Sequence, residues 1–136
     1  MTTTKVTWLA SLVTAINVLV ASGFSIAGLI HPQAMLPTGD VPTEASSIFA
    51  MYAAARAIPL ALITLAAIWR RATQALLILG TLAGVIQLLD AGIGLWLHDA
   101  GKFAGPLLIA VIQFWVLLLL NGSMRSNATM KTSSPG

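Results

Sequence analysis

Of the 136 residues in the chain, 57% are hydrophobic and 8% are charged, whereas soluble domains carry roughly 25% charged residues. No soluble fold of this length could bury so much apolar surface, so the composition indicates one domain that has lipid as its main solvent. The lack of cysteine excludes disulfides, thiol relays and thiolate metal ligands. The net charge of +3 comes from basic residues scattered around apolar stretches, which is typical of membrane topology and does not indicate nucleic-acid binding.

Four apolar stretches are long enough to cross a membrane, since a spanning helix needs about 20 residues for a hydrocarbon core ~30 Å thick. They predict an all-α, up-down-up-down four-helix membrane bundle within residues 1–121. The predicted spans cover residues 6–30, 45–69, 72–97 and 103–121. The first span ends before His31 and Pro32, because proline cannot continue a helix, and Pro106 is expected in the first turn of the fourth. The polar tail, 122–136, is expected to be a disordered cytoplasmic segment.

Lysine and arginine residues set the expected orientation of the bundle. Five of them fall on the side of the two termini: Lys5, Arg70, Arg71, Arg125 and Lys131. The other side has Lys102 with three acidic residues, so the positive-inside rule predicts cytoplasmic termini and a location in the cell inner (cytoplasmic) membrane. A cleaved signal peptide is the alternative for the first span, but its apolar run of ~25 residues exceeds the roughly 7–15 of a signal core.

Each predicted span carries at least one polar residue at a similar depth. These residues are Asn17, Arg56, Gln87 with Asp90, and Gln113. Counted from the predicted outer ends at 1.5 Å per residue, all five lie ~10–20 Å below the outer surface. Because polar groups in hydrocarbon are costly and usually face the bundle interior, we expect one interior polar layer.

Arg56 and Asp90 are the ionisable residues well inside the spans, and they have opposite charges. A lone charge there costs at least ~3 kcal/mol on insertion scales. Since the second and third spans share a short connection, we predict an interior ion pair between them, with Gln87 and Gln113 satisfying the remaining donors and acceptors. Two predicted helical faces support this ion pair. They are Tyr52-Arg56-Pro59-Ile63 on the second span and Gly80-Gly84-Gln87-Asp90-Ala91-Gly94 on the third. In the second face, the Gly80 and Gly84 pair allows close helix approach.

The polar layer and its neighbours form the candidate ligand-binding site. Its residues are Asn17, Tyr52, Arg56, Gln87, Asp90, Gln113 and Trp115. Asp90 and Arg56 would be the catalytic residues if the protein is an enzyme. The alternative is that these groups only hold the helices together, each interaction adding ~0.6–2 kcal/mol. His98 and Asp99 are interpreted as a solvated loop and His31 as a helix terminus, and no metal site is predicted.

The chain resembles the DoxX-like family of small bacterial four-helix membrane proteins over about residues 10–120. The resemblance rests on three segments: GLIHP, MYAAARAIPLALI and QLLDAGIGLWLHD. It implies a four-helix bundle in the cytoplasmic membrane. Some relatives are linked to quinone-coupled sulfur oxidation or redox maturation, while many have no known activity. Arg56 and Asp90 are the matching polar positions, and the lack of cysteine departs from any thiol-relay role.

Three functions remain open from the sequence. The first is a binding or accessory protein whose polar layer holds a small lipophilic molecule, with a quinone or an isoprenoid as the candidate and a quinone as the candidate cofactor. The second is a membrane enzyme of isomerase, cyclase or hydratase type, with Asp90 as acid or base. The third is a proton-coupled small transporter. Expected partners are the lipid bilayer and either a second copy of the chain or a redox subunit.

Overall fold

The computed structural model describes residues 3–36 and 39–132, which form four long α-helices and one short 3-10 helix and contain no strand. The helices are α1 (Thr3–Ile30), α2 (Glu44–Trp69), α3 (Thr73–Trp96) and α4 (Ala100–Thr132), and the 3-10 helix is Pro32–Met35. All four α-helices are long and apolar enough to cross a membrane. The predicted fold class, an all-α membrane-spanning four-helix bundle, is confirmed.

The helices do not pack on one another equally. α3 makes its main contact with α4, and α2 makes its main contact with α1. α1 also packs on α4, whereas the contact between the sequence neighbours α2 and α3 is sparse. The bundle is therefore ordered α1, α2, α3, α4 around its axis, with its weakest packing along the line between α2 and α3, which we call the α2–α3 seam.

A hydrophobic cluster lies at the end of the bundle where most of the basic residues are found. Its buried members come from three helices: Val6, Ala10, Leu76, Val116 and Leu120. Ile68 of α2 and Met124 of α4 pack against this cluster. Three segments therefore lie together at this end: the start of α1, the turn between α2 and α3, and the part of α4 near Met124. They carry Lys5, Arg70, Arg71 and Arg125. We call this the basic end.

α2 and α3 terminate in the same way, at opposite ends of the bundle. At the end of α2, the Arg71 amide donates to Ile68 O (3.0 Å) and the Ala72 amide to Ala67 O (2.9 Å). This pair of bonds is a Schellman motif, which requires a left-handed residue after the helix and usually has glycine there. Arg71 occupies that position here with φ 53°, which costs a residue with a side chain roughly 1–2 kcal/mol.

The end of α3 repeats the arrangement with His98 at φ 53°. The His98 amide donates to Leu95 O (3.1 Å) and the Asp99 amide donates to Gly94 O (3.0 Å). Asp99 then starts α4 directly, because its side-chain Oδ1 accepts hydrogen bonds from the amides of Gly101 (3.0 Å) and Lys102 (3.1 Å). A carboxylate in this position satisfies amides that have no partner within the helix.

This cap corrects the predicted start of the fourth helix. α4 begins at Ala100 and not at 103, so Pro106 lies inside the helix and not in its first turn. The helix also continues to Thr132, so it extends past the predicted end at 121 into the segment that was expected to be a disordered tail. Met124 packs on the basic-end cluster and gives this polar stretch a surface to fold against. The rest of the predicted tail, residues 133–136, lies outside the described residues.

Candidate functional site

Four buried side chains form a hydrogen-bonded chain through the middle of the bundle, which we call the amide chain. Nε2 of Gln87 donates to Oδ1 of Asn17 at 2.7 Å. Nδ2 of Asn17 donates to Oε1 of Gln113 at 3.2 Å. Nε2 of Gln113 then donates to Oγ1 of Thr14 at 2.9 Å. Each amide passes its donor to the next acceptor in the same sense, and hydrogen bonds arranged in this way polarise and strengthen one another.

The amide chain joins α1, α3 and α4 and is shielded from the outside. Thr14 and Gln113 are fully buried, Asn17 is 1% exposed and Gln87 is 4% exposed. Gly80 makes the room for it, since a Cβ at that position would lie 2.9 Å from Nε2 of Gln113. The sequence prediction that Asn17, Gln87 and Gln113 meet at one depth is consistent with these bonds. The geometry is that of groups holding helices together, because the amides bind one another.

The G-x-x-x-G face of α3 packs closely on α4. A Cβ on Gly84 would approach Cζ of Phe114 to 2.9 Å, and a Cβ on Gly94 would overlap the backbone of Lys102 and Phe103. Gly80, Gly84, Gln87, Ala91 and Gly94 are all buried. Asp90 is the one residue of this predicted face of α3 that is exposed.

The predicted interior ion pair between Arg56 and Asp90 is absent from the described residues, and that prediction is wrong. Both side chains are exposed on the outside of the bundle, and Asp99, not Asp90, forms an ion pair, from its Oδ2 to Lys102 Nζ at 3.2 Å. The physical reason is the direction of each side chain around its helix. α2 faces the interior with small residues such as Ala54 and Ala61, and at 100° per residue Arg56 lies ~140° away from Ala61.

The whole stripe that contains Arg56 shares this outward direction. Tyr52 is 58% exposed and Ile63 is 58% exposed, and Pro59 is exposed as well. The spacing of these residues does place them on one face of α2, as predicted, but that face points away from the bundle centre.

Arg56 and Asp90 nevertheless border the same seam. On α3, Asp90 lies about two turns after Ala83 and ~20° from it around the helix, and Ala83 shares a buried cluster with Ala61 of α2. On α2, Arg56 lies about one turn before Leu60 and ~40° from it around the helix, and Leu60 packs on the cluster that joins Ala61 of α2 to Ala83 of α3. Along the helices, Arg56 lies ~18 Å from the start of α2 at Glu44 and Asp90 lies ~9 Å from the end of α3 at Trp96.

The remaining predicted residues do not join the amide chain. Trp115 is 57% exposed on α4 and lies on the side of that helix opposite Gln113. His98 lines an open cavity of about 380 Å³ with Gly92, Leu95 and Trp96. His31 immediately precedes the 3-10 helix that starts at Pro32, as expected for a helix terminus.

Asp99 is a helix cap, because its carboxylate accepts hydrogen bonds from the first amides of α4. Hydrogen bonds from the backbone amide of Lys102 and from the Lys102 side chain, the two largest causes, hold the pKa of the Asp99 carboxyl below its ordinary value of 3.8. The carboxylate is therefore kept charged by the start of α4, in agreement with its interpretation as a boundary residue.

The structure also assigns roles to hydroxyl groups that the sequence analysis did not single out. The Ser22 hydroxyl donates to Ala57 O at 3.1 Å and ties α1 to α2. Thr64 is fully buried in α2, and its hydroxyl has no hydrogen-bond partner in the described residues. Thr14, by contrast, is expected from the sequence, since it lies three residues before Asn17 and therefore on the same small and polar face of α1.

Within residues 3–36 and 39–132, no group of three or more His, Asp or Glu side chains is arranged to hold a metal ion.

Comparisons with known proteins found no matching family, no matching curated protein and no matching solved structure. The resemblance to the DoxX-like family consequently stays a prediction from the three sequence segments.

Proposed function

We propose that this multi-pass membrane protein is a binding or accessory protein that holds the polar head of a small lipophilic molecule, such as a quinone or an isoprenoid, at the α2–α3 seam. The observation that carries the proposal is the exposure of Arg56 and Asp90 within membrane-spanning segments. The two groups carry opposite charges on neighbouring helices, and the described structure gives neither of them an ionic partner.

The free-energy cost of a charge in hydrocarbon explains why Arg56 and Asp90 would favour a bound polar group. A charge facing hydrocarbon costs at least ~3 kcal/mol on insertion scales, and two of them flank one seam. Asn17, Gln87 and Gln113 already bond within the amide chain, so they do not neutralise Arg56 or Asp90. A molecule that supplies an acceptor to the guanidinium and a donor to the carboxylate removes this cost.

The chemistry of the seam favours a ligand that is mostly apolar. Arg56 offers a planar set of donors that suits a carbonyl oxygen, and Asp90 accepts a hydrogen bond from a hydroxyl group. Exposed apolar residues lie on the same flanks, with Phe49 (73% exposed) on α2 and Ile93 (58%) on α3. A few polar groups set among apolar ones are typical of small-molecule sites.

The amide chain supports this proposal in a different way from the one expected from sequence. It is a structural element that fixes α3, and Asp90 lies less than one turn beyond Gln87 on that helix. Asn17 and Gln113 would act by positioning α3, and they would not contact the ligand.

The proposal is tested first by purifying the protein from its native membrane and identifying extracted lipophilic molecules by mass spectrometry. The second test measures the thermal unfolding midpoint with and without a benzoquinone that carries a short isoprenoid tail. We expect the probe to raise the midpoint of the wild-type protein by mass action. Arg56→Leu and Asp90→Leu should lose this rise, while their midpoints without probe stay equal or increase because a charge has left the lipid-facing surface.

Leu62→Ala is the matched control, because Leu62 is 63% exposed on the outer surface of α2. It should keep the full response to the probe. An equal response in Arg56→Leu and Asp90→Leu would contradict the proposal. Cysteine cross-linking that places position 56 against position 90 of a second copy, with no lipophilic molecule extracted, would assign the seam to self-association.

A further inference from the structure

The basic end carries a second surface feature that the proposed ligand site does not use. An open, shallow cavity of about 460 Å³ lies along the surface of α2 near its end, and its lining residues Leu65, Ala66, Trp69 and Arg70 all come from that helix and its C-cap. Its lining is apolar toward the membrane and cationic at the boundary. Trp69 is 89% exposed at the level where tryptophan marks the interface between membrane and water.

Arg71 follows this cavity directly and holds a backbone conformation that favours glycine. Its φ of 53° belongs to the Schellman motif at the end of α2, where a side chain brings strain and no benefit to the fold. Both Arg70 and Arg71 are exposed. His98 has the same φ at the end of α3, so what distinguishes Arg71 is its positive charge next to Arg70 and the cavity.

The charge around the cavity is of one sign. The basic end brings together Lys5, Arg70, Arg71 and Arg125, and the described residues at this end include no aspartate or glutamate. Clusters of basic residues at the cytoplasmic boundary of membrane-spanning helices attract anionic lipid headgroups. The apolar wall of Leu65 and Trp69 next to the two arginines matches an acyl chain that continues into a phosphate group.

We propose that the basic end binds an anionic phospholipid, with an acyl chain in the cavity beside Trp69 and the phosphate group at Arg70 and Arg71. The occupant is a lipid of the surrounding leaflet. It binds at the end of α2 and does not compete with a ligand at the α2–α3 seam.

The twin helix ends provide a matched pair of variants. Arg71→Gly and His98→Gly each place glycine at a left-handed position with φ 53°, so both should raise the unfolding midpoint in lipid-free detergent by relieving backbone strain. The probes are mixed micelles that contain phosphatidylglycerol or phosphatidylcholine. For the wild-type protein, phosphatidylglycerol should raise the midpoint further, and neither phosphatidylcholine nor inorganic phosphate should do so.

Arg71→Gly should lose part of the response to phosphatidylglycerol and bind it about fivefold more weakly, the effect expected for one basic residue near a headgroup. Arg70→Gln should show the same loss, and His98→Gly should keep the full response. An unchanged response in both arginine variants, an equal loss in His98→Gly, or an equal effect of phosphatidylcholine would overturn the proposal. An effect of inorganic phosphate alone would replace the lipid by a free anion.

A second measurement reports on the acyl chain. Phosphatidylglycerol with brominated acyl chains should quench tryptophan fluorescence more than brominated phosphatidylcholine does. Trp69→Phe should abolish this excess, whereas Trp8→Phe should retain it, because Trp8 is exposed at the same end on α1 but does not line the cavity. Excess quenching that persists in Trp69→Phe would place the lipid elsewhere.

Discussion

Gln87 on α3 and Asn17 on α1 are joined by a hydrogen bond of 2.7 Å between two carboxamides that are both nearly inaccessible from outside the bundle. In hydrocarbon, apolar surfaces give little preference for one vertical alignment of two helices over another, because lipid tails are as apolar as the side chains. A buried amide pair distinguishes these alignments, since a shift by one turn leaves its donors and acceptors without partners. The bond therefore sets the relative height of α1 and α3.

Asn17→Leu should destabilise the bundle by about 1–3 kcal/mol, because it removes two hydrogen bonds and leaves Gln87 and Gln113 with unpaired groups. Leu19→Ala, at a position of the same helix that is 53% exposed, serves as the control and should change stability much less. The measurement is reversible unfolding in mixed detergent micelles, followed by circular dichroism. Wild-type stability in Asn17→Leu would show that the amide chain contributes nothing to the fold.

The two buried threonines should respond in opposite directions to the same substitution. Thr64→Val removes a hydroxyl that has no partner in the described residues and should be neutral or stabilising by up to about 1 kcal/mol. Thr14→Val removes the last acceptor of the amide chain, bonded to Gln113 at 2.9 Å, and should destabilise by about 0.6–1.7 kcal/mol. The same unfolding assay compares them, and a loss of stability in Thr64→Val would reveal a partner for its hydroxyl.

Substitutions at two glycines of α3 distinguish the effect of close helix packing on stability from the effect of helix propensity. A Cβ on Gly94 would overlap the backbone at Lys102 and Phe103, whereas a Cβ on Gly92 meets no atom within 4 Å. Gly94→Ala should therefore force α3 and α4 apart and reduce expression and thermal stability strongly. Gly92→Ala should be neutral or stabilising by up to about 1 kcal/mol, because alanine favours the helix. Similar stabilities for the two variants would contradict the close approach at Gly94.

The Asp99 cap should make stability depend on pH in the acidic range. A carboxyl whose pKa is lower in the folded than in the unfolded protein stabilises the fold above the unfolded pKa, and the contribution disappears as the pH falls through the folded pKa. Because hydrogen bonds from Lys102 lower the pKa of Asp99 from 3.8, its contribution should be complete at neutral pH and should decline once the pH drops below that value.

Asp99→Asn tests this assignment, since asparagine caps a helix about as well as aspartate but does not titrate. The unfolding midpoint of wild type minus that of the variant should be constant from neutral pH to about pH 5 and should shrink in more acidic solution. Asp40→Asn, in the exposed loop before α2, controls for the change in net charge. A difference that stays constant down to pH 2 would exclude the cap as its source.

The sequence was sufficient to predict the fold because the length of an apolar run is a direct physical requirement of the bilayer. It also predicted that Asn17, Gln87 and Gln113 share a depth, since depth follows from counting residues along a helix. Depth does not give direction around the helix. In lipid, leucine and isoleucine are suited to both the inside and the outside of a bundle, so no contrast in polarity marks the inner face.

Arg56 shows how this ambiguity produced an error. The stripe from Tyr52 to Ile63 and the stripe through Ala54 and Ala61 are both regular helical faces, and the charged one was the natural choice for the interior. The structure buries the alanines because small side chains allow α2 to approach α1 closely, and Ser22 bonds to Ala57 O in that contact. The extension of α4 was missed for a related reason, because its stabilising partner, the basic-end cluster around Leu76, comes from distant segments.

α2 has no side chain in the amide chain, which connects α1, α3 and α4. Its side-chain hydrogen bond to the rest of the bundle runs from Ser22 to a backbone carbonyl, an acceptor that every residue offers and that a sliding helix can exchange for another. Side-chain hydrogen bonds therefore fix the register of α1, α3 and α4 against one another, whereas α2 is held mainly by the packing of small residues such as Ala54 and Ala61. A change of register in α2 would therefore break none of the side-chain hydrogen bonds that join the other three helices.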